Sequence, residues 1–233
     1  MKGRSQRMTG PGYGRADVDD PRAWLAREAG QAAAYDRICD RYDEAFPHKE
    51  GQLACGDWLL ANLPTGASVL DIGCGTGLPT ARQLIDGGCA VTCVDISPAM
   101  LARARSHVPE ARLVELDAAD LDRLPGRYDA AVAFFSLLNL PRRAMPRALN
   151  LIHNALAPGG LFALAMVEAD VDDVPISFLG SRILVTGYLR DDLRSLLCEA
   201  RFSVADETAI SYAPASADAA PEIQLFLNCR RQE

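Results

Sequence analysis

The sequence predicts an α/β fold: a seven-stranded, mostly parallel sheet with an antiparallel edge strand, helices on both faces and an N-terminal helical cap. Three observations lead there. From Ser68 onward, short β-rich runs alternate with helical patterns, as they do when crossover helices join parallel strands. A turn dense in glycine, Gly73-Cys74-Gly75-Thr76-Gly77, follows the first of those runs. The last two runs are joined by a loop without a helix, which makes them an antiparallel pair.

The chain has 233 residues, enough for one domain or one domain with a small appendage. Residues 1–20 are polar, with Gly10, Pro11, Gly12 and Gly14, and read as a flexible tail. Residues 21–66 read as the helical cap. Asp20 suits an N-cap and Pro21 a first helical turn. Over 23–46, as one helix or two, Tyr35, Cys39, Tyr42 and Phe46 recur at i, i+4, i+7 and i+11 and make one apolar-aromatic face. A second helix is predicted over 51–62, ended by Pro64 and Gly66. Strands follow at 68–72, 90–95, 111–116, 128–135 and 160–167, with helices at 78–87, 98–107 and 142–157. Ser97 and Pro98 supply the cap and first turn of the 98–107 helix. Ala157-Pro158-Gly159-Gly160 stops the 142–157 helix. Residues 170–188 read as irregular. A helix over 190–200 leads to strands 202–211 and 223–229, separated by an Ala/Pro/Ser/Asp loop at 213–221.

Composition narrows the function. A net charge of −7 and the absence of any Lys/Arg run longer than Arg142-Arg143 or Arg230-Arg231 argue against nucleic acid as a partner. No apolar run approaches the roughly 20 residues that span a bilayer, and the N-terminus lacks the apolar centre of a signal peptide. The seven cysteines contain no CxxC pair and only three histidines accompany them, so no metal is expected; they read as reduced residues of a cytoplasmic protein.

The chemistry sits in Val69-Leu70-Asp71-Ile72-Gly73-Cys74-Gly75-Thr76-Gly77. Here a buried strand ends and glycines let the backbone approach a ligand. The following helix, predicted to start near Leu78, would turn free N–H groups toward it. The spacing is GxGxG preceded by an acid. It is not the GxGxxG of a pyrophosphate cradle, because position 78 is Leu, and no Gly-Lys-Ser/Thr is present.

This stretch resembles the first motif of the class I, Rossmann-like S-adenosylmethionine-dependent methyltransferases, and the resemblance runs over residues 68–168. It implies S-adenosylmethionine as cofactor and S-adenosylhomocysteine as product. Gly73, Gly75, Thr76 and Gly77 would form the floor under the methionine moiety, with Asp71 near its amino group. Asp95, in Val94-Asp95-Ile96-Ser97, matches the acid that binds the ribose hydroxyls. Ile96 and Met100 would flank the adenine. Asp117-Ala118 matches the acid and backbone N–H at the adenine amine, with Asp120 as a competitor. Phe134, Phe135 and Ser136 would stand between donor and acceptor. Residues 67–233 then form the cofactor-binding domain, with 170–188 as an acceptor lid. Singly, Asp95 is also readable as a strand-end acid, Met100 as core and Asp117 as a helix cap.

Methyl transfer needs the acceptor held in line with the donor, and a base only where the nucleophile must lose a proton. His48 and Glu168 are the candidates for a base or orienting group. A surface histidine at a helix end is the alternative for His48, a solvated acidic loop that for Glu168 and its neighbours. His107 and His153 read as structural. Tyr35, Phe135, Ser136 and Tyr188 are the candidate acceptor contacts. Phe135-Ser136-Leu137-Leu138 stands where base-methylating enzymes carry Asp/Asn-Pro-Pro-Tyr/Phe. A small organic acceptor, a metabolite or secondary-metabolite intermediate, is therefore expected, on a monomer or a homodimer; an O or N nucleophile is favoured and carbon stays open. A cofactor-binding protein without transferase activity and a nicotinamide-dependent dehydrogenase are the competing readings.

Overall fold

The structure, a computed structural model, describes residues 21–45, 47–212 and 222–233. The predicted tail 1–20 with Asp20, residue Phe46 and the loop 213–221 lie outside the described residues.

One helix, α1 (Pro21–Ala45), replaces the one-or-two expected, and α2 (Glu50–Asn62) follows. The alternating region then runs β1 (Ser68–Ile72), α3 (Thr80–Asp86), β2 (Ala90–Asp95), α4 (Pro98–His107), β3 (Arg112–Glu115), β4 (Tyr128–Phe134), α5 (Met145–Ala155) and β5 (Leu156–Val167). Short 3-10 turns at Ala118–Arg123 and Leu137–Asn139 were not foreseen. Beyond β5 come β6 (Val171–Phe178), β7 (Ser181–Gly187), α6 (Arg190–Glu199), β8 (Phe202–Tyr212) and β9 (Glu222–Arg231).

The seven-stranded sheet has the order β3-β2-β1-β4-β5-β9-β8. The first five strands are parallel, and β9 runs antiparallel to both β5 and β8, which makes the antiparallel edge. β1 has β2 on one side and β4 on the other, so the strand order reverses there. Ligands of such sheets bind outside the carboxyl ends of the strands at that reversal.

Alternation along the strands sends neighbouring residues to opposite faces. Val69, Cys93, Val132 and Ala163 pack with Leu59 of α2, Leu84 of α3 and Ala104 of α4. Leu70, Val94, Ala131 and Phe162 pack on the other face with α5 and α6. In α5, Met145, Ala148, Leu149 and Ile152 are buried at i, i+3, i+4 and i+7, the period of a helix lying on a sheet. Each large apolar side chain so buried contributes about 1.5–3 kcal/mol before entropy is counted.

Three expectations need correction. Residues 170–188 are not irregular. They form a separate two-stranded antiparallel hairpin, β6–β7, turned by Leu179 and Gly180 at φ of 50° and 80°. Helix α3 starts at Thr80 rather than Leu78, because Leu78 and Pro79 belong to the turn, and its first residues are tied back by Arg82 N–H donating to the Gly77 carbonyl. Helix α5 ends at Ala155, two residues early, because β5 already pairs with β4 at Leu156.

Among the described residues, no helix is long and apolar enough to cross a membrane. All seven cysteines are free thiols.

Candidate active site

The turn after β1 explains its own glycines. Gly73 has φ of 69°, and a Cβ there would lie 2.2 Å from Cβ of Ser136. That close approach lets Ser136 Oγ donate to the Ile72 carbonyl at 2.6 Å. Gly75, at φ of 55°, donates its N–H to Asp95 Oδ2 at 2.9 Å. Gly77 serves packing: an added Cβ would meet Val108 Cγ2 at 2.8 Å. Thr76 is buried and its hydroxyl donates to Asp43 of α1 at 2.8 Å. His107 Nδ1 lies 2.9 Å from the Thr76 carbonyl, which buttresses the same turn.

A cavity of about 650 Å³ opens on this turn. Its wall includes Ile72, Gly73 and Gly75 from the β1 end, and Asp95, Ile96 and Met100 from the β2 end. Asp117 and Ala118 come from the segment after β3, and Phe134, Phe135, Ser136 and Asn139 from that after β4. Eleven of the predicted cofactor or acceptor residues, Tyr35 among them, therefore meet at one place. Asp71, Thr76 and Gly77 lie behind the wall rather than on it. Asp117 also accepts from Ala119 N–H at 2.8 Å, so it is both cap and cavity wall.

The acids of the site are held close to neutrality by burial. Asp95 is pushed up to about 6 by desolvation, opposed by the N–H groups of Ser97, Gly75 and Ile96. Asp71 is pushed up to about 7, first by desolvation and then by the charge of Asp95. Its Oδ2 is buried without a hydrogen-bond partner, and an unpaired buried acceptor is costly.

Three further cavity residues, Glu28, Tyr35 and Tyr42, come from α1. They stand seven residues apart and so share one helix face; Glu28 was missed because the reading followed the i+4 and i+7 aromatic stripe only. Its carboxyl is pushed up to about 7 by desolvation and by Asp117. Tyr35 donates to Asn139 Oδ1 at 3.1 Å. Asn139 was missed as well. Its Oδ1 also accepts from Gln31 and its Nδ2 donates to the Ser136 carbonyl.

A second cavity, of about 990 Å³, adjoins the first. Tyr35, Tyr42 and Phe135 line both. Its walls are otherwise mainly apolar residues of β6, β7, β5 and β9, with His48, Lys49 and Gln52 from the segment that joins α1 to α2 and opens it. α1 closes the site by gripping the hairpin and the sheet. Arg27 bonds Asp173 and the Asn139 carbonyl, Gln31 exchanges bonds with the Leu184 backbone, and Arg41 donates to the Leu179 carbonyl. Asp36 accepts from Ser97 Oγ at 2.6 Å and Ala99 N–H at 3.1 Å, at the start of α4.

His48 lines the second cavity only; its side chain is 62% exposed and 3.3 Å from Glu50. Glu168 is brought to neither cavity. Both of its oxygens are taken by Arg190, at 2.8 and 2.6 Å. Tyr188 is also on neither; it is buried under the Arg142 guanidinium, 5.0 Å from its ring centre. Ser136 faces the first cavity rather than the second. His153 is buried, with Nε2 2.9 Å from the Gln232 carbonyl. Among the described residues, no group of three or more His, Cys, Asp or Glu is placed to hold a metal.

A crevice at the strand reversal, floored by an acid-Gly-x-Gly-x-Gly turn and walled by Asp95 and Asp117, defines a class: enzymes built around S-adenosylmethionine. The comparisons with known proteins agree. The family described as "Methyltransferase domain" matches residues 69–160. An uncharacterized methyltransferase of Synechocystis is 32% identical over 145 residues, 60% of this chain and 68% of that one. The malonyl-(acyl-carrier protein) O-methyltransferase of Enterobacter lignolyticus is 36% identical over 146 residues, 60% of this chain but 54% of its own length. The chain thus spans about half the length of that relative. The 1,6-didemethyltoxoflavin-N1-methyltransferase of Burkholderia thailandensis, solved with its substrate and S-adenosylhomocysteine, shares the fold with a TM-score of 0.69. It is 24% identical, over 92% of this chain and 91% of that one. The chain belongs to the class I S-adenosylmethionine-dependent methyltransferase family.

Proposed function

We propose that the chain transfers the methyl group of S-adenosylmethionine to a small organic acceptor and releases S-adenosylhomocysteine. One observation carries this reading. The cavity at the strand reversal, with the glycine turn and Asp95, adjoins a second, mostly apolar cavity through a shared wall of Tyr35, Tyr42 and Phe135.

The residues present fit the cofactor. The orphaned Oδ2 of Asp71 lies just behind the cavity wall, where its charge would favour a cationic amino group without touching it. A carboxylate oxygen has two lone pairs, and Asp95 spends one of each on Gly75 and Ser97 N–H groups, which leaves acceptor capacity for ribose hydroxyls. Asp117 and Glu28 offer polar groups to an adenine edge, with Ile96 and Met100 as apolar flanks. When bound, the cofactor supplies a methyl group activated by a sulfonium charge.

The chain's own task is then placement. Holding a nucleophile in line with the methyl group can lower the barrier by roughly 7–11 kcal/mol. Tyr35, Tyr42 and Phe135 form the wall at which donor and acceptor would meet. Burial pushes Tyr35 up to about 12 and Tyr42 higher still, so both phenols donate hydrogen bonds and neither accepts a proton near neutrality. Asn139 fixes Tyr35. A cytoplasmic location and the absence of a nucleic acid partner complete the reading, supported by free thiols and the net charge of −7.

Calorimetric titration with S-adenosylmethionine, S-adenosylhomocysteine and NADH tests it. Saturable binding of both sulfur ligands and none of NADH is expected. Binding of NADH alone would replace the reading with a dehydrogenase.

A further inference from the structure

The second cavity has a chemistry of its own, and what it implies about the acceptor rests on the methyl-transfer reading above. Residues of two separate β-sheets line it. The hairpin contributes Val171, Ile176, Ile183 and Val185, and the main sheet contributes Val167 and Phe226. A slot lined by two sheets suits a flat molecule better than a globular one. The end nearest the cofactor is aromatic. The rings of Tyr35, Tyr42 and Phe178 stand at 6.4 Å from one another, centroid to centroid, at 57–62°. Phe135 and Phe226 meet edge to face at 5.7 Å. Rings in such tilted arrangements present both edges and faces, and a further aromatic ring is attracted to either.

The titratable groups of the two cavities decide the nucleophile. On the cofactor side they are Glu28, Tyr35, Tyr42, Asp95 and Asp117; on the acceptor side, Tyr35, Tyr42, His48, Lys49 and Glu222. Only the two tyrosines are common to both, and both are donors. His48 points from an exposed position at which Glu50 and the Tyr212 ring are its neighbours. The shared wall thus offers a nucleophile no side-chain base with which to shed its proton, Lys49, Glu222 and Glu28 each lining one cavity only. A phenol loses its proton near neutrality far more readily than an aliphatic alcohol, because its anion is delocalised.

We propose that the second cavity takes a flat, fused-ring phenol as methyl acceptor, its hydroxyl turned toward Tyr35 and Tyr42. The hydroxyl proton leaves to solvent. An oxygen lone pair forms the new O–C bond as the methyl carbon–sulfur bond breaks, and that bond's electron pair stays on sulfur as a neutral thioether. The methylated product is a neutral aryl ether, more apolar than the phenol that entered.

The test uses the full chain saturated with S-adenosylhomocysteine and two probes of equal skeleton, 2-naphthol and its saturated counterpart decahydro-2-naphthol. Saturable binding of 2-naphthol is expected, at least about tenfold tighter than the saturated alcohol. Ile176→Glu places a charge on the slot at a side chain already 39% exposed, where the fold tolerates it. It should weaken 2-naphthol binding about tenfold or more while S-adenosylhomocysteine affinity stays as in the parent chain. Equal binding of the two probes, no binding of 2-naphthol, or 2-naphthol binding indifferent to Ile176→Glu would overturn the proposal and leave the cofactor reading standing. Failure of S-adenosylhomocysteine itself to bind the parent chain would overturn both.

Discussion

At the scale of single residues, the site depends on acids whose charge is balanced against burial. Asp95 ties the β2 end to the glycine turn through Gly75 N–H and caps its own loop through Ser97 N–H. Its remaining lone pairs face the cavity. Charge-assisted hydrogen bonds to ribose hydroxyls are each worth about 1.5–3 kcal/mol. Asp95→Ala should therefore lower S-adenosylhomocysteine affinity at least about tenfold in calorimetry, while circular dichroism reports an intact fold. Affinity within a factor of two of the parent would refute the cofactor map. Gly73 is the opposite kind of residue. It contacts the ligand cavity, yet its lack of a side chain is demanded by Ser136 on the neighbouring strand end. A motif glycine here answers to packing as much as to ligand approach.

At the scale of elements, α1 supplies the wall that the two cavities share with Phe135. Its grip on the β6–β7 hairpin centres on Arg27, whose side chain is only 8% exposed and which pairs with Asp173 and Glu28 at 2.5 Å each. Removing it leaves two half-buried carboxylates of like charge without a counter-ion. Breaking a buried pair costs about 3–5 kcal/mol, and partial solvent access at Asp173 favours the lower end. Because the hairpin is a two-stranded sheet of its own, the loss should appear as local opening. In Arg27→Ala, hairpin amides should exchange about a hundredfold faster while β1 and β4 amides keep their protection. Unchanged hairpin exchange would show that Gln31 and Arg41 hold it alone. The hairpin itself was hidden in the sequence. Asp172, Asp173 and Pro175 interrupt any period-2 pattern, and the turn uses Leu179 at positive φ, where Asn or Asp before Gly is the usual signal. Pro175 is tolerated because a two-stranded sheet has only edges.

At the scale of the whole molecule, the buried acids act together on stability. Glu28, Asp71 and Asp95 have folded-state values raised to about 7, 7 and 6, above the unfolded values near 4. Between about pH 4 and pH 7 the folded chain therefore binds more protons than the unfolded chain, and stability falls as pH rises. Carboxyls held low by arginine, such as Glu168 and Asp40, act in the opposite sense but at more acid pH. The thermal midpoint of the cofactor-free chain should fall from pH 5 to pH 8, and Asp71→Asn should flatten that fall. Ligand with a cationic amino group should offset it. A slope that Asp71→Asn leaves intact would mean that Asp71 ionises without penalty.

The main sheet, its strand-end acids and the glycine turn were determined by the sequence itself, because each rests on local information. Period-2 and period-3.6 patterns mark strands and helices, and the GxGxG spacing after an acid marks the turn. Asp95, Ile96, Met100, Asp117 and Phe134 were placed by the family resemblance, which works because a parallel sheet brings the carboxyl ends of its strands to one edge. What only the tertiary structure decided is which distant segments close over that edge. Glu28, Tyr35 and Tyr42 reach the cofactor cavity, and Asp36 reaches the start of α4 from 61 residues away. Glu168 and Tyr188, though next to a strand end, are drawn away by Arg190 and Arg142. No local period encodes such choices, because they are set by how helix, hairpin and sheet pack once the chain has returned on itself.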